Sequence, residues 1–157
     1  MPHVHEGSQQ AGSGRYAIVI SRYNDSITNG LLSGAIETLT SAGVADENLD
    51  VVWVPGAFEI PLIAHKIACT GEYVAVLCLG AVIRGETSHD QHINRAVSLG
   101  IVESSLSSGV PVLFGILTCD SLEQALQRST PGEHNKGAEC ARSALEMASL
   151  LEKLSPD

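Results

Sequence analysis

Apolar positions along this chain alternate between two rhythms. Residues 16–20 (YAIVI) form a short unbroken apolar run, the pattern of a strand buried on both faces. In residues 26–42, Ile27, Leu31, Ala35, Ile36 and Leu39 recur at helical spacing, and Gly43 follows as a stop. Residues 49–54 (LDVVWV) predict a second strand. Pro61 suits the first turn of a helix that runs to about Thr70 and closes at Gly71. Residues 73–80 (YVAVLCLG) predict a third strand, 91–108 a helix ended by Gly109, and 112–117 (VLFGIL) a fourth strand. Residues 121–124 (SLEQ) have the form of a capping box and open a short helix to about Arg128. A last long helix spans 137–154, with Ala138, Ala141, Ala144, Leu145, Ala148 and Leu151 along one side.

The order βαβαβαβαα, with strands that lack polar alternation, predicts a parallel sheet covered by helices on both faces. The expected fold is a three-layer α/β/α sandwich with a four-stranded parallel sheet, right-handed crossovers and a flavodoxin-like strand order. At 157 residues the chain is one domain, expected over 15–154. Residues 1–14 (MPHVHEGSQQAGSG) are small and polar and are expected to form a flexible tail, without the basic and apolar regions of a signal peptide. His3 and His5 on that tail make too loose a pair to argue a metal site. The longest apolar run, 73–83, falls well short of the ~20 residues that span a bilayer.

Charge changes this picture in two ways. The balance of 9 Lys+Arg against 18 Asp+Glu, net −9, argues against nucleic acid as a partner. Charged residues make up only 17%, against roughly 25% in ordinary soluble domains, so part of the surface is expected to lie between subunits. The alternative is a compact monomer rich in Ala, Gly and Ser. Cys69, Cys78, Cys119 and Cys140 show neither metal nor redox spacing, and we expect free, mostly buried thiols in a cytoplasmic, reducing setting.

In open parallel sheets, ligands bind beyond the carboxyl ends of the strands. Tyr23 follows the first strand, and Phe58 and Glu59 follow the second. Phe114 lies in the fourth strand. Three of only six aromatics thus fall at or near this edge, where a flat ligand could stack. Phe114 could equally be a core plug, whereas Tyr23 stands on a polar loop. The third loop is the most informative. Gly85 permits close backbone approach, Thr87 and Ser88 offer hydroxyls, and amide groups ahead of a helix form an anion cradle. His89 stands beside it, and an imidazole titrates near neutrality. The plain alternative is a helix cap with a surface histidine. His89 and His92 as a metal pair lack a third ligand, so no metal is expected. Arg128 and Lys136 flank a Pro/Gly loop; Arg suits phosphate, yet each alone could be a solvated charge. No Walker lysine motif and no GxGxxG opens a helix.

Together, the segments 56–61 (GAFEIP), 80–89 (GAVIRGETSH), 114–118 (FGILT), 123–128 (EQALQR) and 135–137 (NKG) resemble the 6,7-dimethyl-8-ribityllumazine synthase family of riboflavin biosynthesis. The resemblance covers about residues 14–154. It implies condensation of 5-amino-6-(D-ribitylamino)uracil with 3,4-dihydroxy-2-butanone 4-phosphate, with loss of phosphate and water and without metal or organic cofactor. It implies that Tyr23 stacks on the pyrimidine, that Ala57, Phe58 and Glu59 hold the ribityl chain, and that the backbone of Ala81, Val82 and Ile83 reads the uracil edge. Gly85, Glu86 and Thr87 match the phosphate cradle, with the Glu86 side chain turned away. His89 matches the proton-transferring residue. Phe114 comes from a neighbouring subunit, Arg128 pairs with phosphate, and Lys136 assists nearby. The family further implies pentamers, and the short 128–136 segment and proline-free approach to strand one resemble members that pack twelve pentamers into a shell. A free pentamer or decamer is the alternative, and riboflavin synthase is a partner the resemblance allows. Tyr23 stands where Phe or Trp is commoner, and the 129–134 loop is not the usual Gly-Thr-Lys-rich version. Two rival readings remain: a flavin- or lumazine-holding module that kept the pocket and lost the chemistry, and a receiver domain. The latter needs an aspartate where Gly80 and Ala81 stand.

Overall fold

The computed structural model describes residues 1–155. Its elements are β1 (Tyr16–Ser21), α1 (Asp25–Ser41), β2 (Leu49–Val54), α2 (Ile60–Ala68), β3 (Ala75–Ile83), α3 (His89–Ser108), β4 (Val112–Cys119), α4 (Leu122–Gln127) and α5 (Lys136–Leu154). All strand pairs are parallel and the order is β2-β1-β3-β4. This is the flavodoxin-like three-layer sandwich that the alternating periodicity predicts.

The period-two geometry of a strand sends neighbouring side chains to opposite faces. Tyr16, Ile18, Ile20, Leu77 and Leu79 pack with α1 and α5 on one side. Ala17, Val19, Val76 and Cys78 pack with α2 and α3 on the other. Because both faces of β1 and β3 are covered, both strands read as unbroken apolar runs. The edge strands differ from that expectation. β2 is mostly half-buried, and β4 leaves Phe114 40% exposed, since no fifth strand covers its outer side. Phe114 is therefore not a core plug in the single chain.

Two boundaries shift toward the carboxyl edge. The third strand begins at Ala75 and runs to Ile83, where the sequence suggests 73–80. Parallel pairing carries it onward through Val82 opposite Thr118 and Ile83 opposite Cys119. β4 lengthens to Cys119 for the same reason. Ala81, Val82 and Ile83 are thus strand residues rather than loop residues. α3 opens two residues earlier than expected, so His89 is its first residue.

Local chemistry explains the helix ends. Ser121 accepts a bond from the Gln124 amide at 3.3 Å, and the Gln124 side chain takes the Asp120 amide at 2.9 Å, a shifted form of the expected capping box. Asn135 caps α5 by accepting from Ala138 N at 3.0 Å. Helices α1 and α5 approach closely because Gly137 has no side chain: a Cβ there would lie 1.9 Å from the Leu31 carbonyl oxygen. Before β1, the Ser8 amide donates to Ser149 on α5 and the Ala11 amide to the Ala42 carbonyl. All four cysteines are free; Cys69 is exposed and the other three are buried. Burial pushes the Cys140 thiol up to about 12. No helix among the described residues is long and apolar enough to cross a membrane.

Candidate active site

The loop after β1 is held at both ends by backbone. Arg22 N donates to Val54 O at 2.8 Å and Tyr23 N to Pro55 O at 3.1 Å. Asn24 then adopts a left-handed conformation and starts α1. This turn leaves the Tyr23 ring 73% exposed. After β2, a 3-10 turn over Ala57–Glu59 leads into α2, with Pro61 in the first turn. α3 packs against that turn.

These segments close around a cavity of about 400 Å³. Tyr23 and Asn24 line it from the first loop, and Ala57, Phe58 and Glu59 from the 3-10 turn. Ala81, Val82 and Ile83 line it from β3, Gly85 and Thr87 from the third loop, and His89, Asp90 and Ile93 from α3. Glu86 is exposed and does not line it. The Thr87 hydroxyl accepts from the His89 amide at 3.3 Å, so one amide at the helix start is already engaged.

The longer β3 gives this cavity a backbone edge. Pairing of β1 with β3 stops at Ile20 opposite Leu79, four residues short of the end of β3. Backbone groups of alternate residues point to alternate sides of a strand. Arg84 N donates to Cys119 O on the β4 side, so Ala81 and Ile83 turn their N–H and C=O groups the other way. The Ala81 carbonyl accepts from Asn24 Nδ2 at 3.2 Å. Ile83 has no strand opposite it on that side. Its adjacent donor and acceptor can meet the edge of a cyclic amide.

Charge is divided. The 400 Å³ cavity carries the Glu59 and Asp90 carboxylates and neither lysine nor arginine. The cations stand in a second concavity of about 710 Å³, which Phe114, Thr118, Gln127, Arg128, His134 and Lys136 line together with Glu133 and Glu139. Lys136 N donates to Arg128 O at 2.8 Å, which ties the two cation-bearing residues together at the mouth of their loop. Asn135 fixes that loop. The two hydrogens of its Nδ2 are shared among the carbonyls of Gly30, Ser129 and Thr130, each at 3.1 Å. Arg128 Nη1 lies 3.5 Å from Cys119 Sγ, and Lys136 Nζ lies 3.3 Å from Glu139 Oε1.

Within one chain the expected site residues therefore fall into two groups. Tyr23, Ala57, Phe58, Glu59, Ala81, Val82, Ile83, Gly85, Thr87 and His89 share one cavity. Phe114, Arg128 and Lys136 share another. Asn24, Asp90 and Ile93 were not singled out by sequence reasoning. An asparagine just ahead of a helical run was the one signal for Asn24, since Asn favours both helix starts and left-handed backbone.

The fold and these loops define a flavodoxin-like α/β protein with its cleft at the carboxyl edge of a parallel sheet. Sequence comparison places it more closely. The chain belongs to the 6,7-dimethyl-8-ribityllumazine synthase family, whose profile matches residues 13–152. A 6,7-dimethyl-8-ribityllumazine synthase of Desulfatibacillum aliphaticivorans is 49% identical over 153 residues, which cover 98% of this chain and 99% of that protein.

Proposed function

We propose that this chain condenses 5-amino-6-(D-ribitylamino)uracil with 3,4-dihydroxy-2-butanone 4-phosphate to give 6,7-dimethyl-8-ribityllumazine, at sites shared between two copies. The observation that carries the reading is the split of chemistry between the two concavities. One offers a stacking ring, a free backbone edge, an imidazole and carboxylates. The other offers Phe114 and two cations, with Glu133 and Glu139 beside them. A donor-rich aminopyrimidine suits the first, and a phosphate ester needs cations that the first lacks. Phe114, Arg128 and Lys136 line one concavity, so the copy that lends Phe114 lends the cations too.

Tyr23 stacks on the pyrimidine, the Ala81–Ile83 backbone reads its edge, and Ala57, Phe58 and Glu59 face the ribityl chain. Gly85 and Thr87, with the backbone of Glu86, face the phosphate end, where Arg128 and Lys136 of the second copy meet it. The 5-amino nitrogen adds to the ketone carbonyl, and water leaves as the imine forms. Loss of the proton on the hydroxyl-bearing carbon beside the imine expels phosphate and leaves an enol, which takes a proton on its terminal carbon and gives up its hydroxyl proton to become a methyl ketone. The ribitylamino nitrogen then closes the ring on the new carbonyl, and a second water leaves. Each step moves a proton among amine, hydroxyl and carbonyl, and we assign that transfer to His89, which lines the cavity. Holding the two reactants side by side supplies most of the acceleration.

The low charged fraction and the exposed Phe114 support self-association. We extend the reading to pentamers packed as a shell of twelve, in the cytoplasm, with a free pentamer or decamer as the other outcomes of light scattering. Riboflavin synthase, as a partner, rests on the resemblance alone. The activity test is direct. Pure protein mixed with both substrates releases phosphate and develops lumazine absorbance faster than the spontaneous reaction. Ligand binding without any rate above the spontaneous one overturns the assignment and favours a holding module.

A further inference from the structure

Asn24 has no part in the roles assigned so far, yet its geometry is unusual on two counts. It is the single non-glycine residue with positive φ among the described residues, at φ 66° and ψ 47°. It also stands at the N-cap of α1 without making the side-chain cap bond that asparagine commonly makes there. The Ile27 amide, which a side-chain cap would take, donates instead to Asn24 O at 3.0 Å, beside the ordinary first helix bond from Thr28 N at 3.0 Å. The side chain is thereby released, and it crosses to the neighbouring strand, where Nδ2 donates to Ala81 O at 3.2 Å.

The location of this bond gives it meaning. Regular β1–β3 pairing ends at Leu79, and Tyr23 N turns away to Pro55 O. The carbonyl of Ala81 thus receives a side-chain amide where a continuing strand would offer a backbone one. One bond ties the loop that carries the Tyr23 ring to the strand whose last residues form the open edge. It also sets the direction of the amide. Nδ2 faces a carbonyl, so Oδ1 faces away from it. A flat ring held between Tyr23 and the β3 edge must satisfy a stacking distance and an in-plane hydrogen-bonding distance together.

We infer that Asn24 is a positioning residue for the aminopyrimidine substrate: its bond to Ala81 fixes the Tyr23 loop against the β3 edge. The inference rests on the proposed reaction and names a residue on which substrate selection at that site depends. It concerns the aminopyrimidine alone, because in the proposed reaction the phosphate ester is held by the 85–87 loop and by the cations of the second copy, neither of which Asn24 touches.

The test uses Asn24→Gly and Asn24→Asp in the full-length protein. Glycine keeps access to the left-handed backbone and removes the amide. Aspartate keeps the shape and turns a carboxylate oxygen toward the Ala81 carbonyl. The readouts are KM for each substrate, equilibrium binding of the aminopyrimidine alone, and the thermal midpoint. We expect KM and Kd for the aminopyrimidine to rise about tenfold in both variants, while KM for the phosphate ester stays within about twofold. A merely structural role would move both KM values with the thermal midpoint. If Asn24→Asp folds poorly, Asn24→Gly carries the test alone. Aminopyrimidine Kd within about twofold of wild type, or a parallel rise in both KM values, overturns the inference. A wild-type protein that binds the aminopyrimidine and turns nothing over refutes the reaction instead, and the Kd comparison still decides the role of Asn24.

Discussion

At the amino-terminal end of the sheet, Arg15, Asp50 and Tyr73 close on one another, whereas at the carboxyl end the polar groups reach outward. Arg15 Nη2 lies 2.5 Å from Asp50 Oδ2, the Tyr73 hydroxyl donates to the same oxygen at 2.6 Å, and the guanidinium stands 5.5 Å from the Tyr73 ring centroid. Tyr73 first, and Arg15 next, hold the Asp50 carboxyl below the usual carboxylate range. The bond to Asp50 raises the Tyr73 hydroxyl in turn. At the other end, the Ile83 backbone has no strand on its β1 side, Tyr23 lies bare, and the lysine and arginine stand apart from the cavity that holds Tyr23 and His89. An end whose polar groups satisfy each other contributes to stability. An end that leaves a strand edge open and a ring bare is suited to take partners from substrate and from a second copy.

Substitutions at the two ends should therefore differ in kind. The largest effect is expected from Arg128→Ala. Loss of a forked cation at the phosphate should lower kcat/KM for the phosphate ester about 10³-fold with little change in unfolding free energy. Steady-state kinetics beside a denaturant titration checks both halves; a stability loss of matching size would place Arg128 in the fold and not in the site. His89→Ala should lower kcat about 10²-fold and leave both KM values near wild type, the share of one proton carrier in a reaction driven by proximity. Single-turnover rates at saturating substrate test this, and a drop beyond about 10⁴-fold would demand a larger role.

Asn135→Ala reaches into stability. Three carbonyls lose their donor and α5 loses its cap, so unfolding free energy should fall by about 2–3 kcal/mol. Chemical denaturation gives the value directly. The smallest effect belongs to the amino-terminal clasp. The folded pKa of Asp50 lies below its unfolded value, so its contribution is complete above the unfolded value and fades as pH falls through the folded one. Asp50→Asn should flatten stability against pH below about pH 4 and leave turnover unchanged. Its groups are part-exposed, so the effect is a change of slope in acid and not a collapse. Thermal midpoints from about pH 2.5 to 7 would show it; an unchanged acid limb would remove Asp50 from the account.

Periodicity made the layers and strand order legible, because residues buried on both faces leave a continuous apolar signature in β1 and β3. The ends were less so. β3 and β4 prolong each other by mutual pairing, and no local feature of Ala81–Ile83 distinguishes a paired segment from a loop. Tyr73 is apolar by type, yet its hydroxyl is drawn to Asp50, which the one-dimensional pattern cannot register. Candidate site residues could be found by type and loop position. Their division between two concavities could not, because it depends on where α4 carries Arg128 and the loop after it carries Lys136, relative to α3. Asn24 escaped notice because its significance lies in a bond to a residue 57 positions away.

The claim that one site draws on two copies can be tested by mixing defects. His89→Ala and Arg128→Ala, each nearly inactive alone, are co-expressed in equal amounts so that assemblies form from both. Shared sites predict recovery of about a quarter of wild-type activity, since random mixing pairs an intact His89 with an intact Arg128 at that frequency. Activity no higher than the mean of the two variants, in assemblies proven to contain both chains, would contradict the account.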